Sequence, residues 1–291
     1  MLTILRPRGH GSQPTNGSSI IEVSVGNPGV MSDYSKPNTV DVDRFPEWEP
    51  FAEAVARRRP DAGTWCEAWT VRDVVVHQTG NAEELARVLS GHLAGEPVPT
   101  RGFAEREAPF QAMGDADLWS AFTDRMGRLS EVAAAAEDLA EDTDVAWTGR
   151  AMKPPWFAEH MREELVLHGW DITGDNEAAQ QRLGQWWMTE HSVTAVGRPL
   201  LRRGATKLGL GAGERFEARL RVTGTPDVVV AANTDNSSIE LAPAGGPATV
   251  ETDAAARVLL LWGRRPADPS RICSSVGPQA LGRLRMLLSG Y

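Results

Sequence analysis

Trp69-Thr70-Val71-Arg72-Asp73-Val74-Val75-Val76-His77-Gln78-Thr79-Gly80 opens the most clearly written helix in this chain of 291 residues. Thr70 is placed to cap it, and Asp73, three residues on, completes a short capping box. Trp69 precedes the cap and can staple onto Val74. That start sets the phase of the whole helix. Val74, His77, Asn81, Leu85 and Val88 fall along one face, so His77 and Asn81 stand where a plain bundle would carry Leu or Val. A later run, Glu164-Leu165-Val166-Leu167-His168-Gly169-Trp170-Asp171, repeats the anomaly. Glu164 and His168 are four apart and share a helix face. Two imidazoles and a carboxylate aimed inward from two helices have two readings. They hold a zinc-like divalent ion with coordination positions left open, or the carboxylate accepts hydrogen bonds from both imidazoles without an ion.

Outward from these segments, apolar periodicity predicts further helices. Trp48, Phe51, Ala52 and Val55 mark one from Pro46 to about Arg59. Leu118, Phe122, Met126, Leu129 and Val132 mark another over 115–138. Pro154-Pro155 starts the Glu164 helix, and 177–201 is read as a further helical stretch. After Gly213 the texture changes to short β-branched runs, predicting strands at 216–222, 228–232, 238–241 and 249–251. A helix over 253–262, capped by Thr252 or Asp253 and stopped by Gly263, and a last one over 278–288 complete the pattern. The fold class is therefore α+β. The expected division is a flexible tail over 1–43, a helical domain over 44–204, and a small α+β domain over 213–291, with a glycine-rich linker between the two domains. Met31 is an alternative start to Met1.

The net charge of −9, without a long basic run, argues against a nucleic-acid backbone as ligand and favours a small molecule. No stretch reads as a membrane span or a secretory leader, so the expected location is the cytoplasm. Cys66 and Cys273 make no C-x-x-C and read as reduced thiols. Gly209-x-Gly211-x-Gly213 is no phosphate loop, since no strand precedes it and no Lys-Ser/Thr comes after it.

Three segments resemble the mycothiol-dependent maleylpyruvate isomerase family of the DinB-like superfamily: 69–80, the Glu-x-x-x-His-x-Trp-Asp run over 164–171, and Ala255–Arg265 near the C-terminus. The resemblance spans about Phe45 to the end. It implies a DinB-like four-helix bundle carrying a zinc triad of His77, Glu164 and His168, then a smaller domain related to sterol-carrier folds. It further implies mycothiol as the thiol and an actinobacterial source. Zinc would ionise the thiol for addition to an electrophilic small molecule. In a cis-trans isomerase, addition to a cis-enedioate is followed by bond rotation and elimination; in an S-transferase the sulfur stays attached. The rival classes are a zinc hydrolase, which would need no thiol, and a non-catalytic small-molecule binder. A monomer or homodimer is expected.

Other residues are weighed individually. A C-terminal arginine engages a substrate carboxylate in the isomerase, and Arg265 is the choice for that catalytic role; the competing reading is that Arg264 and Arg265 complement the carbonyl end of a helix. His160 is a fourth ligand, a supporting group, or a helix-surface histidine, and is left out of the metal set. Asp171 orients an imidazole or caps its helix. Asn81 is a pocket group or a bundle hydrogen bond, and His191 has no assignable partner. Residues 95–113, with Pro97, Pro99 and Pro109, are read as pocket-lining loop.

Overall fold

Helix α2 (Val71–Leu93) begins at the cap read from the sequence. The Thr70 hydroxyl accepts the Asp73 N–H at 3.2 Å, and the Asp73 carboxylate accepts the Thr70 N–H at 2.9 Å. The computed structural model describes residues 39–289, so Met31 and most of the expected tail lie outside the described residues. Within the range, the Asp41 N–H reaches Ser130 Oγ at 3.2 Å and Phe45 is fully buried.

Helices α1 (Trp48–Ala56), α4 (Asp115–Ala135) and α5 (Pro155–Thr173) fall on the predicted segments, and α1 stops three residues short of Arg59. α2 packs on α4 and α5, and α1 packs on α5. Leu85, Leu89, Phe122, Met126, Phe157 and Met161 are among the residues that form the core between them. α5 serves two cores. Phe157, Met161 and Leu165 face this one, while Val166, Leu167 and Trp170 belong to the apolar cluster that includes the C-terminal sheet. A helix apolar on both sides buries its polar residues too, which is why this element carries the chemistry.

Several elements depart from the sequence reading. α3 (Phe103–Gln111) occupies part of the expected loop; Pro109, which ordinarily ends a helix, sits inside it. A hairpin of β1 (Val145–Trp147) and β2 (Arg150–Met152) turns through Thr148 and Gly149, both at positive φ. α8 (Arg202–Lys207) replaces the start of the expected linker, because Gly204 lets its backbone approach the Leu287 carbonyl closely.

The expected 177–201 helix is broken. It comprises α6 (Glu177–Leu183), α7 (Trp186–His191), a π-helical turn over Ser192–Val196 and a 3₁₀ turn over Arg198–Leu200. Beyond it, β3 (Arg215–Arg221), β4 (Asp227–Asn233), β5 (Ser237–Ala242), β6 (Val250–Thr252) and β7 (Ile272–Ser274) form a sheet in the order β5-β4-β3-β6-β7. β3 and β6 are parallel and the other neighbours antiparallel. β7 is an additional strand that the sequence reading did not contain. α9 (Ala254–Leu261), capped by Asp253, and α10 (Gly277–Leu288) complete the apolar cluster on the sheet. α9 ends in a Schellman motif. Gly263 has φ 71°, its N–H bonds to Leu260 O at 3.0 Å, and the Arg264 N–H bonds to Leu259 O at 2.7 Å. Among the described residues, no helix is long and apolar enough to cross a membrane.

Candidate metal centre

α2 brings His77 and α5 brings Glu164 and His168 to one point. One ligand atom from each lies within 4.8 Å of the others, and all three residues are buried. Both Nε2 atoms face the same carboxylate oxygen: His77 Nε2 is 3.5 Å and His168 Nε2 is 3.3 Å from Glu164 Oε2. The other ring nitrogens each face an acid. His77 Nδ1 is 2.7 Å from Glu107 Oε1, and a carboxylate only accepts, so this nitrogen carries the proton. His168 Nδ1 is 2.8 Å from Asp171 Oδ2, a short contact whose angle is off the hydrogen-bond ideal. A proton on each Nδ1 leaves each Nε2 lone pair turned inward, the tautomer that a metal-binding imidazole needs. Asn81 Nδ2 lies 2.9 Å from His77 Nε2 and 3.2 Å from Glu164 Oε2, which makes it a pocket group.

Charge around the three residues is graded. Burial pushes the Glu164 carboxyl upward, but hydrogen bonds with His168 and His77 outweigh it and hold the group well below the usual range. For His168, burial lowers the pKa while Asp171 and Glu164 raise it, with a net rise. Asp171, fully buried, is opposed by burial yet held well below the ordinary carboxylate range by the Arg264 guanidinium, then by His168. The Arg264 pair is bidentate, Nε to Oδ1 at 2.8 Å and Nη2 to Oδ2 at 2.6 Å. Arg264 thus neutralises the acid that orients a site imidazole, a role that neither sequence reading of it contained. The Schellman turn at Gly263 carries it there.

Several further side chains are placed differently from expectation. His160 is buried, not at the helix surface, and burial lowers its pKa. His191 has a partner, Glu159, at 2.6 Å. Glu107 was missed because its helix was read as loop. Gly80 is explained by that helix: a Cβ there would lie 3.1 Å from the Arg106 carbonyl, so glycine lets α3 lie close to α2 and bring Glu107 to His77. Trp69 stacks on His168, with ring centroids 5.5 Å apart, and contacts His77 at 4.8 Å.

The three residues open on a cavity of about 1000 Å³. Trp65, Trp69, Phe103, Trp147 and Trp262 give it apolar walls; Arg203 and Arg265 lie on its lining, exposed and with no ion-pair partner among the described residues. Trp170, on the Glu164 helix, is core and donates to Asp175 at 2.7 Å. Cys66 also lines the cavity, but burial and then the Asp171 charge push its thiol up, so it is no ready nucleophile.

Residues 45–173 match the family model described as the mycothiol maleylpyruvate isomerase N-terminal domain. Two crystal structures, of the mycothiol-dependent maleylpyruvate isomerase and of a histidine-to-alanine mutant of it, share the fold. They are 16% and 15% identical to this chain, with TM-scores of 0.52 and 0.53, each covering 81% of this chain and 93% of the other. No curated protein matches the chain.

Proposed function

We propose that this chain, whose 45–173 segment matches the mycothiol maleylpyruvate isomerase N-terminal domain, is a zinc-dependent, mycothiol-using enzyme acting on a small electrophile that carries a carboxylate. The carrying observation is the convergence of His77, Glu164 and His168 at the floor of an arginine-lined cavity. The donor set fits a zinc-like ion: two Nε2 lone pairs and one carboxylate oxygen face inward, each imidazole turned by an acid behind it. Bound there, the ion would stabilise the conjugate base of a coordinated thiol, making thiolate available at neutral pH.

The chain's own residues do the rest. Glu107 and Asp171 hold a proton on each Nδ1, and Arg264 keeps Asp171 ionised. The tryptophan and phenylalanine walls place apolar surface beside the charged groups, which strengthens charge interactions there. Arg265 is assigned the substrate carboxylate, its unpaired guanidinium presenting two donors in the geometry a carboxylate accepts. Arginine charge there also stabilises the negative charge that thiolate addition places on a conjugated carboxyl system. Of the two outcomes, cis-trans isomerisation is favoured over S-transfer, since the domain family and the fold neighbours carry the isomerase name. The packing of α1, α2, α4 and α5 supports a DinB-like four-helix bundle, and the sheet with α9 and α10 supports a sterol-carrier-like second domain.

The test is zinc quantification beside turnover of maleylpyruvate with added mycothiol, in wild type, His77→Ala and His168→Ala. The expected result is metal in the wild type, its loss from this site in both variants, and turnover only with thiol and metal together. Unchanged metal content in both folded variants would refute the assignment, and turnover without thiol would mark a hydrolase.

A further inference from the structure

Behind the candidate centre lies a second convergence of buried groups that the proposed reaction does not use. His160 and Glu163 project from α5 and His191 from the end of α7, at 3%, 0% and 1% exposure. Glu163 Oε2 is 3.5 Å from His160 Nδ1 and 3.6 Å from His191 Nε2. None of these three atoms has a hydrogen-bond partner among the described residues. Three buried polar atoms that face one another without a hydrogen bond are costly, and a group bound between them would relieve that cost.

Two of the groups behind these atoms are, by contrast, hydrogen-bonded. His191 Nδ1 lies 2.6 Å from Glu159 Oε1, which fixes its proton there and turns the Nε2 lone pair inward. Glu163 Oε1 accepts the Ser192 hydroxyl at 2.5 Å and the Trp262 indole N–H at 3.1 Å, which aims Oε2 at the two imidazoles. His160 Nε2 points the other way, 3.9 Å from Glu164 Oε1. The His191 and Glu163 atoms are thus each oriented by a hydrogen-bonded group behind them, as in supported metal sites. The spacing agrees as well. Ligands about 2.0–2.1 Å from a tetrahedral ion stand about 3.4 Å apart, close to the separations here and to the 3.3 and 3.5 Å of the first set.

We propose that His160, Glu163 and His191 form a second divalent-cation site, distinct from the His77, Glu164 and His168 set. Two imidazoles and one carboxylate select a borderline ion of the Zn²⁺ or Co²⁺ class over Mg²⁺ or Ca²⁺. Its burial makes the site structural: it ties α5 to α7, with Ser192 and Trp262 hydrogen-bonded behind the carboxylate. Because His160 reaches toward Glu164, the second site stands directly behind the first.

The experiment is Zn²⁺ stoichiometry by elemental analysis of the full-length chain after chelator stripping and titration, with Co²⁺ absorption as a second readout. Two equivalents are expected in the wild type. One is expected in His77→Ala/His168→Ala, which leaves the buried cluster untouched, and one in His191→Gln. A single equivalent in the wild type that disappears from folded His77→Ala/His168→Ala would overturn the second site while leaving the first, and would assign the gap to water. A single equivalent lost only in His191→Gln would instead sustain the second site and overturn the first. Should His191→Gln fail to fold, the wild-type and His77→Ala/His168→Ala counts decide the matter.

Discussion

Replacing Asp171 by Asn tests whether the acid behind His168 works through its charge. Asp→Asn keeps the side chain's shape, so packing is preserved in a residue with no exposed surface. The carboxylate serves three contacts: two from Arg264, at 2.8 and 2.6 Å, and one to His168 Nδ1 at 2.8 Å. An amide has one accepting oxygen. If that oxygen serves Arg264, the NH₂ faces His168 Nδ1, favours the opposite tautomer and places a proton on Nε2, where the metal needs a lone pair. If it serves His168, the NH₂ meets the Arg264 donors head on. Loss of such a supporting group lowers metal affinity by about 10- to 100-fold, or about 1.4–2.7 kcal/mol. Stability falls separately, by about 3 kcal/mol, because a largely buried guanidinium loses its counter-charge. The assay is zinc competition against a chromophoric chelator, paired with denaturant unfolding of the metal-free protein. A folded Asp171→Asn protein whose zinc Kd stays within twofold of wild type would refute the reasoning.

Zinc affinity at the first centre should weaken as pH falls. His168 has a raised pKa in the metal-free fold, so its proton must be displaced below that value; affinity is complete above it and drops by up to about tenfold per pH unit beneath it, measurable by the same competition at pH 8, 7 and 6. Gly204→Ala places a methyl against the Leu287 carbonyl oxygen and should cost about 2 kcal/mol, read as a fall of about 4–8 °C in Tm. Thr70→Ala removes one half of the capping box and should cost about 1 kcal/mol in denaturant unfolding, with the metal count unchanged.

Much of the helical framework was legible because local chemistry specifies it. Thr70 and Asp73 place the start of α2, and from that start the period alone turns His77 and Asn81 inward. Spacing of four puts Glu164 and His168 together on α5 in the same way. The strands β3 to β6 were readable from β-branched runs, whereas β7, the β1–β2 hairpin and the proline-bearing α3 were not, lacking such runs or contrary to propensity. Packing of α3 and β1 on α2, and pairing of β7 with β6, supplied the stabilisation that local preference lacked.

Chain order alone therefore determines that Glu164 and His168 share a helix face and that His77 turns inward on its own helix; joining them into one set came from the family resemblance. The surroundings of that set were decided only in three dimensions. Glu107 arrives on a helix that Gly80 admits, and Arg264 on the turn made by Gly263. His191 meets His160 and Glu163 from another element. A sequence period reports the direction of a side chain about its own axis. Which partner lies in that direction depends on how distant elements pack, and it is packing that sets the protons, the charges and the buried gap at these sites.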